Sequence, residues 1–214
     1  MIHIKSFTFN PFQENSYVLF DDSKNCIIID PGCYERYEEK ELLSFIEVNG
    51  LVVKALLNTH AHIDHVLGNQ FVVETFGVDF YLHSNDLTTL NSIPSYAHIY
   101  GFEAYKLSPQ PNKILNNGDV LKFGEIELQV FFTPGHAPGH VVFYNKENSF
   151  VINGDVLFNG SFGRVDLPGG DIEILKNSIY STLFSFPDET VVYCGHGPST
   201  TIGKEKNSNY ILQF

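Results

Sequence analysis

The sequence predicts a mixed α/β fold of two sheets with helices packed outside them. Strand-like runs come first, and strand–helix mixtures then fill both halves of the chain. Gly, Pro, Asn and Asp punctuate it throughout, with no linker, repeat or low-complexity segment, so residues 1–214 read as one domain. With 43% hydrophobic and 18% charged residues, the composition is that of a globular protein with a sizeable core.

Ile2–Phe9, Ser16–Phe20 and Cys26–Ile29 read as strands, the last ending at the turn Asp30-Pro31-Gly32. Glu38 to Val48 predicts a helix, with Leu42, Phe45 and Ile46 on one face and Asn49-Gly50 as its stop. The apolar run Leu51–Leu57, β-branched at Val52 and Val53, suits a buried strand. A helix from about Asp64 to Phe76, closing at Gly77, and a strand over Val78–Leu82 follow. Ser84 to Pro111 mixes helix-like and loop-like pieces without clear boundaries. Val120–Phe123, Ile126–Phe132, Val141–Tyr144 and Phe150–Ile152 read as strands. Asp171 is a good N-cap for a helix from Ile172 to about Leu183, and Thr190–Tyr193 is the last clear strand.

Composition excludes several classes. No apolar run reaches the roughly 18 residues of a membrane-spanning helix. Met1 to Asn10 alternates like a strand and lacks the basic start and long apolar stretch of a signal peptide. Cys26, Cys33 and Cys194 form no Cys-x-x-Cys pair, which argues against a disulfide framework and for a reducing cytoplasm. The 25 acidic and 13 basic residues leave a net charge of −12, which disfavours nucleic-acid binding because phosphate contacts need clustered Lys and Arg. An anionic small substrate stays compatible, since a bound metal inverts the local field.

The strongest chemical signal is Thr59-His60-Ala61-His62-Ile63-Asp64-His65. Imidazole and carboxylate are both metal ligands. In an extended segment His60 and His62 face the same side. If a helix begins at Asp64, that residue and His65 reach the same space from a second angle. Three histidines merely packed between a strand and a helix would need other polar partners. His136, Asp155 and His196 each lie just past an apolar strand with a glycine directly before them, a placement suited to precise sites. Five histidines and two aspartates are too many for one tetrahedral catalytic metal, which uses three protein ligands. Two metals with three ligands each and one bridging carboxylate would use all seven. Nitrogen and oxygen ligands without thiolate suit zinc first, with iron or manganese as alternatives.

The string His60-x-His62-x-Asp64-His65, followed by His136, Asp155 and His196, resembles the metallo-β-lactamase superfamily over nearly the whole chain. Thr133-Pro-Gly-His-Ala-Pro-Gly-His140, Gly154-Asp-Val-Leu-Phe158 and Gly160 to Gly170 make it most similar to short glyoxalase II enzymes, the hydroxyacylglutathione hydrolases. The resemblance implies a four-layer αββα sandwich with two divalent metals at one edge. His60, His62 and His136 would hold one metal, Asp64, His65 and His196 the other, with Asp155 bridging. Asp30 and His140 would stand behind the ligands. Arg164 would clamp a substrate carboxylate or else pair with Asp166. The implied reaction is hydrolysis of a small-molecule thioester such as S-lactoylglutathione, by a metal-bridging hydroxide attacking the carbonyl. Asp64 would be both a ligand and a proton acceptor.

Two departures bear on the substrate. The C-terminal helical extension that supplies glutathione contacts in longer glyoxalases has no counterpart, and Val165-Asp166 replaces their aromatic residues. Another small ester or lactone is therefore an alternative. The similar persulfide dioxygenases, with one iron, normally read Cys-Gly-Arg-Thr-Asp-Phe where this chain has Phe162-Gly-Arg-Val-Asp-Leu167. A purely structural metal module would need only about four ligands.

Overall fold

The computed structural model describes residues 1–214. The first sheet runs in sequence order through β1 (Ile2–Phe9), β2 (Glu14–Asp21), β3 (Asn25–Ile29), β4 (Val52–Leu57), β5 (Asp79–His83) and β6 (Lys113–Leu115). Its first three strands are antiparallel and the rest parallel. The helices α1 (Arg36–Val48), α2 (Ile63–Val66), α3 (Asn69–Phe76) and α4 (Leu87–Ser92) lie in its connections.

The second sheet opens as an antiparallel meander of β7 (Val120–Phe123), β8 (Ile126–Phe132), β9 (Val141–Asn145) and β10 (Phe150–Gly154). A small hairpin, β11 (Leu157–Phe158) and β12 (Ser161–Phe162), and the helix α5 (Ile172–Ser181) follow. Strand β13 (Val191–Cys194) then pairs with β10 in parallel, β14 (Thr200–Thr201) edges the sheet, and α6 (Ile202–Ser208) comes last. No helix is long and apolar enough to cross a membrane.

Strand periodicity produces the layers. In β3, Cys26 and Ile28 face the core under α1 and α3, whereas Ile27 and Ile29 face the opposite sheet. In β9, Val141 and Phe143 fill the space between the sheets, whereas Val142 and Tyr144 pack toward α5 and α6. Strands buried on both faces separate three apolar cores, which makes the four-layer αββα sandwich. Each fully buried aliphatic side chain contributes about 1.5–3 kcal/mol.

The strand predictions hold to within two residues, and Asp171 caps α5 by accepting from the Ile174 amide at 3.0 Å. Three expectations need correction. The helix expected from Asp64 to Phe76 is two helices, broken at Leu67-Gly68. The Gly68 amide donates to Pro31 O at 2.7 Å, and a β-carbon there would lie 2.4 Å from Cys33 Sγ. The chain must bend to seat that contact. The helix expected to reach Leu183 ends at Ser181, and a separate 3₁₀ turn covers Leu183–Ser185. Thr190–Tyr193 is not the last strand, because β14 and α6 follow. They are anchored by Glu205, whose buried carboxylate accepts from Thr200, Asn209 and the Gly160 amide.

Candidate metal centre

All seven expected side chains converge at one edge of the sandwich. His60, His62, Asp64 and His65 follow β4, His136 follows β8, Asp155 follows β10 and His196 follows β13. Gly154 makes the turn into Asp155. Its φ of 52° is left-handed, and a β-carbon would meet Thr59 Oγ1 at 2.5 Å and His140 Nε2 at 2.8 Å. The parallel register between β10 and β13 shifts at this point.

The ligand atoms of His60, His62 and His136 lie within 4.8 Å of one another, as do those of Asp64, His65 and His196. Asp155 stands between the two trios. Its Oδ2 is 3.6 Å from His136 Nε2 in the first and 3.4 Å from His196 Nε2 in the second. Its Oδ1 is 3.5 Å from His65 Nε2.

Four of the five rings are tied through the nitrogen that faces away from the site. His65 Nδ1 donates to Asp30 Oδ2 at 3.1 Å, His136 Nδ1 to Arg164 O at 2.7 Å and His196 Nδ1 to Phe12 O at 3.1 Å. Thr59 Oγ1 donates to Asp30 Oδ2 at 2.6 Å and accepts from His60 Nδ1 at 3.0 Å. Such bonds fix the ring orientation and aim Nε2 at the site. His62 Nδ1 faces His136 Nε2 at 2.8 Å. His60 Nε2, His65 Nε2 and Asp155 Oδ1 are buried without a hydrogen-bond partner. Buried polar atoms of this kind need a partner, and oriented imidazole and carboxylate donors are what divalent cations take. The residues fit a metal.

Electrostatics divide the trios. Burial, then the neighbouring imidazoles, holds His60 well below the usual histidine range and His62 down at about 3. Burial also lowers His136. Burial works in the same direction on His65 and His196, but the carboxylates of Asp155 and Asp64 outweigh it, raising His65 well above its ordinary value and His196 to about 10. Against the upward push of burial, those histidines hold Asp155 well below and Asp64 below the usual carboxylate range.

Asp30 and His140 stand behind the site. Asp30 also accepts from the Thr59 amide at 2.7 Å, so one carboxylate positions a histidine of each trio. His140 Nε2 accepts from the Asp155 amide at 3.1 Å, and its ring stacks on His60 at 4.7 Å. Arg164 borders the cavity, yet its guanidinium makes a two-pronged bond to Asp166 at 2.7 Å, exposed on both sides. Its backbone carbonyl, rather than its side chain, holds His136. His83 accepts from the Asn85 amide and stacks on Phe132, a structural role. Lys204 and Lys206 bond Asn159 and Asp188.

Two buried acids escaped the sequence reasoning. Asp86 accepts from the Ala61 amide at 2.8 Å and the Gly139 amide at 2.6 Å, pinning both histidine loops. Glu14 is fully buried 3.9 Å from His65 Nδ1 and accepts from Ser16 Oγ at 2.8 Å; burial raises it well above the usual range. Neither sits in a motif. The one available clue for Asp86 was its place just past a strand, the same context as Asp155.

A cavity of about 1020 Å³ opens over the trios. It is bordered by Phe12, Tyr96 and Tyr100 on one side and by Phe162, Arg164 and Leu167 on another.

Residues 9–196 match the profile described as the metallo-beta-lactamase superfamily. The hydroxyacylglutathione hydrolase GloC of Haemophilus influenzae is 37% identical over 202 residues, which cover 94% of this chain and 93% of that protein. The crystal structure of the BLEG-1 B3 metallo-beta-lactamase is similar at TM-score 0.90 and 35% identity, covering 99% of this chain and 100% of that one. That of TTHA1623 in a di-iron-bound form is similar at TM-score 0.86 and 40% identity, covering 96% and 98%. The matched profile spans all seven converging side chains, and the chain belongs to the metallo-β-lactamase superfamily as a metal-dependent hydrolase.

Proposed function

We propose that the chain is a dinuclear thioester hydrolase, with S-lactoylglutathione as the first substrate to test. The observation that carries this reading is Asp155, whose carboxylate reaches one histidine of each trio. His60, His62 and His136 would hold one divalent metal and Asp64, His65 and His196 the other, with Asp155 shared. Bound metals supply Lewis acidity and bring the pKa of water toward neutrality. Asp30 and His140 keep the ligand atoms aimed. Asp64, whose Oδ2 lies 3.1 Å from His196 Nε2, would take up a proton at the site as well as hold a metal. A departing thiolate needs no strong acid. The likeness to GloC, a hydroxyacylglutathione hydrolase, supports the choice of thioester.

A second reading is lactam hydrolysis, favoured by the likeness to BLEG-1. The test is metal content by mass spectrometry on protein purified without chelator, followed by hydrolysis of S-lactoylglutathione and of a β-lactam. About two metals per chain with thioester turnover supports the proposal. Turnover of the lactam alone replaces it with the second reading. One iron per chain with oxygen uptake on a persulfide overturns both.

A further inference from the structure

The cavity is not uniform. At its His136 end, Arg164 uses its carbonyl to hold the ring and places its guanidinium at the border. At its His196 end, Phe12 holds that ring through its own carbonyl and turns its side chain into the cavity. The end with Phe162 carries the cavity's only lysine or arginine, Arg164, and the other carries the rings of Phe12, Tyr96 and Tyr100.

The aromatic end is built rigidly. Phe12 sits between β1 and β2 in a turn with left-handed residues at Asn10 (φ 51°) and Gln13 (φ 57°). Asn10 Nδ2 donates to Gly32 O and to Asp64 O, both at 3.0 Å, and Asn10 Oδ1 accepts from the Phe12 amide at 3.0 Å. The Phe12 ring packs edge-on against Tyr100 at 5.7 Å and tilted on Phe102 at 5.8 Å, and Tyr100 packs edge-on against Tyr96. Phe12 nevertheless stays 41% exposed and Tyr100 46%. Apolar rings held rigid and left facing a cavity mark a binding surface. Of the charged side chains that line the cavity, Asp64, Asp155 and His196 belong to the site and Arg164 is paired with Asp166.

We propose that this end receives the acyl group of the substrate and that the acyl group is uncharged and ring-sized, with the thiol carrier lying toward Arg164. The inference rests on the thioester reading and deepens it. Lactoyl, whose methyl covers little of the joined faces of Phe12 and Tyr100, leaves the aromatic wall largely unused. A phenyl in place of that methyl would cover it.

The test compares S-mandeloylglutathione with S-lactoylglutathione, which differ by phenyl against methyl, on metal-replete enzyme. The expected kcat/KM is roughly tenfold or more in favour of mandeloyl, the scale on which apolar pockets discriminate. Phe12→Ala keeps the main-chain bond to His196, and it should bring that ratio at least fivefold closer to one. Tyr100→Ala, at a more exposed position, should do the same and guards against a folding defect in the first variant. A ratio near one, a preference for lactoyl, or a mandeloyl preference that survives both substitutions overturns the acyl assignment while leaving thioester hydrolysis standing. Hydrolysis of neither thioester overturns the thioester reading and the acyl assignment with it.

Discussion

Asp86 gives the sharpest test of how the site is held. Its buried carboxylate accepts from two backbone amides, one between His60 and His62 and one between His136 and His140. Asp86→Ala leaves both amides buried without a partner, at about 1–3 kcal/mol each. An opposing effect is pH-dependent. Burial raises the Asp86 carboxyl from an ordinary 3.8 to about 6. A carboxyl raised on folding contributes stability that is fully present below its unfolded value and is lost as pH rises through its folded value. The loss therefore falls between about pH 3.8 and pH 6 and totals about 3 kcal/mol. Neither Ala nor Asn at this position can show it. The deficit of either variant relative to wild type should shrink by about 2 kcal/mol between about pH 4.5 and pH 7.5. For a chain of this size that is about 4–8 °C in Tm. The assay is thermal unfolding of chelator-treated wild type, Asp86→Asn and Asp86→Ala at both pH values, with metal content measured in parallel. A deficit that does not change with pH refutes the electrostatic argument. Wild-type metal affinity in both variants refutes the claim that Asp86 positions the histidine loops.

Asp64→Ala should lower hydrolysis at least about a hundredfold and metal content by about one ion per chain, with the fold retained by circular dichroism; wild-type turnover would refute the dinuclear scheme. Asp30→Ala releases His65 and, through Thr59, His60, so competition against a chelator should show metal affinity about 10–100-fold weaker. An unchanged affinity would mean that packing alone orients the two rings. Arg164→Ala keeps the carbonyl that holds His136 and removes only the guanidinium; KM for an anionic thioester should rise while kcat changes little, and an unchanged KM leaves the side chain solely as the partner of Asp166. Chelation should lower Tm and added metal should restore it, because a ligand bound only by the folded chain stabilises it; a Tm indifferent to metal would separate the site from the stability of the sandwich.

What was legible in the sequence follows the range of the interactions involved. The strands from Val120 to Ile152 and the cap at Asp171 rest on local periodicity and turn chemistry, and they are found where expected. The break at Gly68 was hidden because its cause is Pro31 and Cys33, some thirty-five residues earlier in the chain. The seven candidate ligands were readable because the dense His60 to His65 string gives weight to the repeated placement of His136, Asp155 and His196 after a glycine at a strand end. Asp30 and His140 were readable only through resemblance, since their partners lie across the fold. Glu14 carries no local signal and Asp86 only its place just past a strand, because a buried carboxylate looks in sequence much like any surface acid. Arg164 shows the limit from the other side. Its side chain drew attention, but the structure gives its backbone carbonyl a part that any residue type could supply.

The two sheets meet at this edge, and hydrogen bonds cross between them there. The Asn15 amide donates to Gly195 O at 2.7 Å, Tyr17 Oη to Cys194 O at 2.6 Å, and the Val141 amide to Thr59 O at 2.9 Å. Each bond joins a strand of one sheet to a ligand-bearing turn of the other. The inter-sheet core behind them is wholly apolar and has no preference for one edge. What fixes the relative position of the turns is therefore this polar seam together with the carboxylates of Asp30 and Asp86. Both carboxylates act on backbone amides, and Asp30 acts on side chains as well, so they set the path of the chain before Asp30 sets the angle of a ring. A site assembled this way tolerates changes in what lines the cavity while holding its seven converging side chains in place. That is why the acyl-facing rings of Phe12 and Tyr100 can differ in character from the chemistry beneath them without disturbing it.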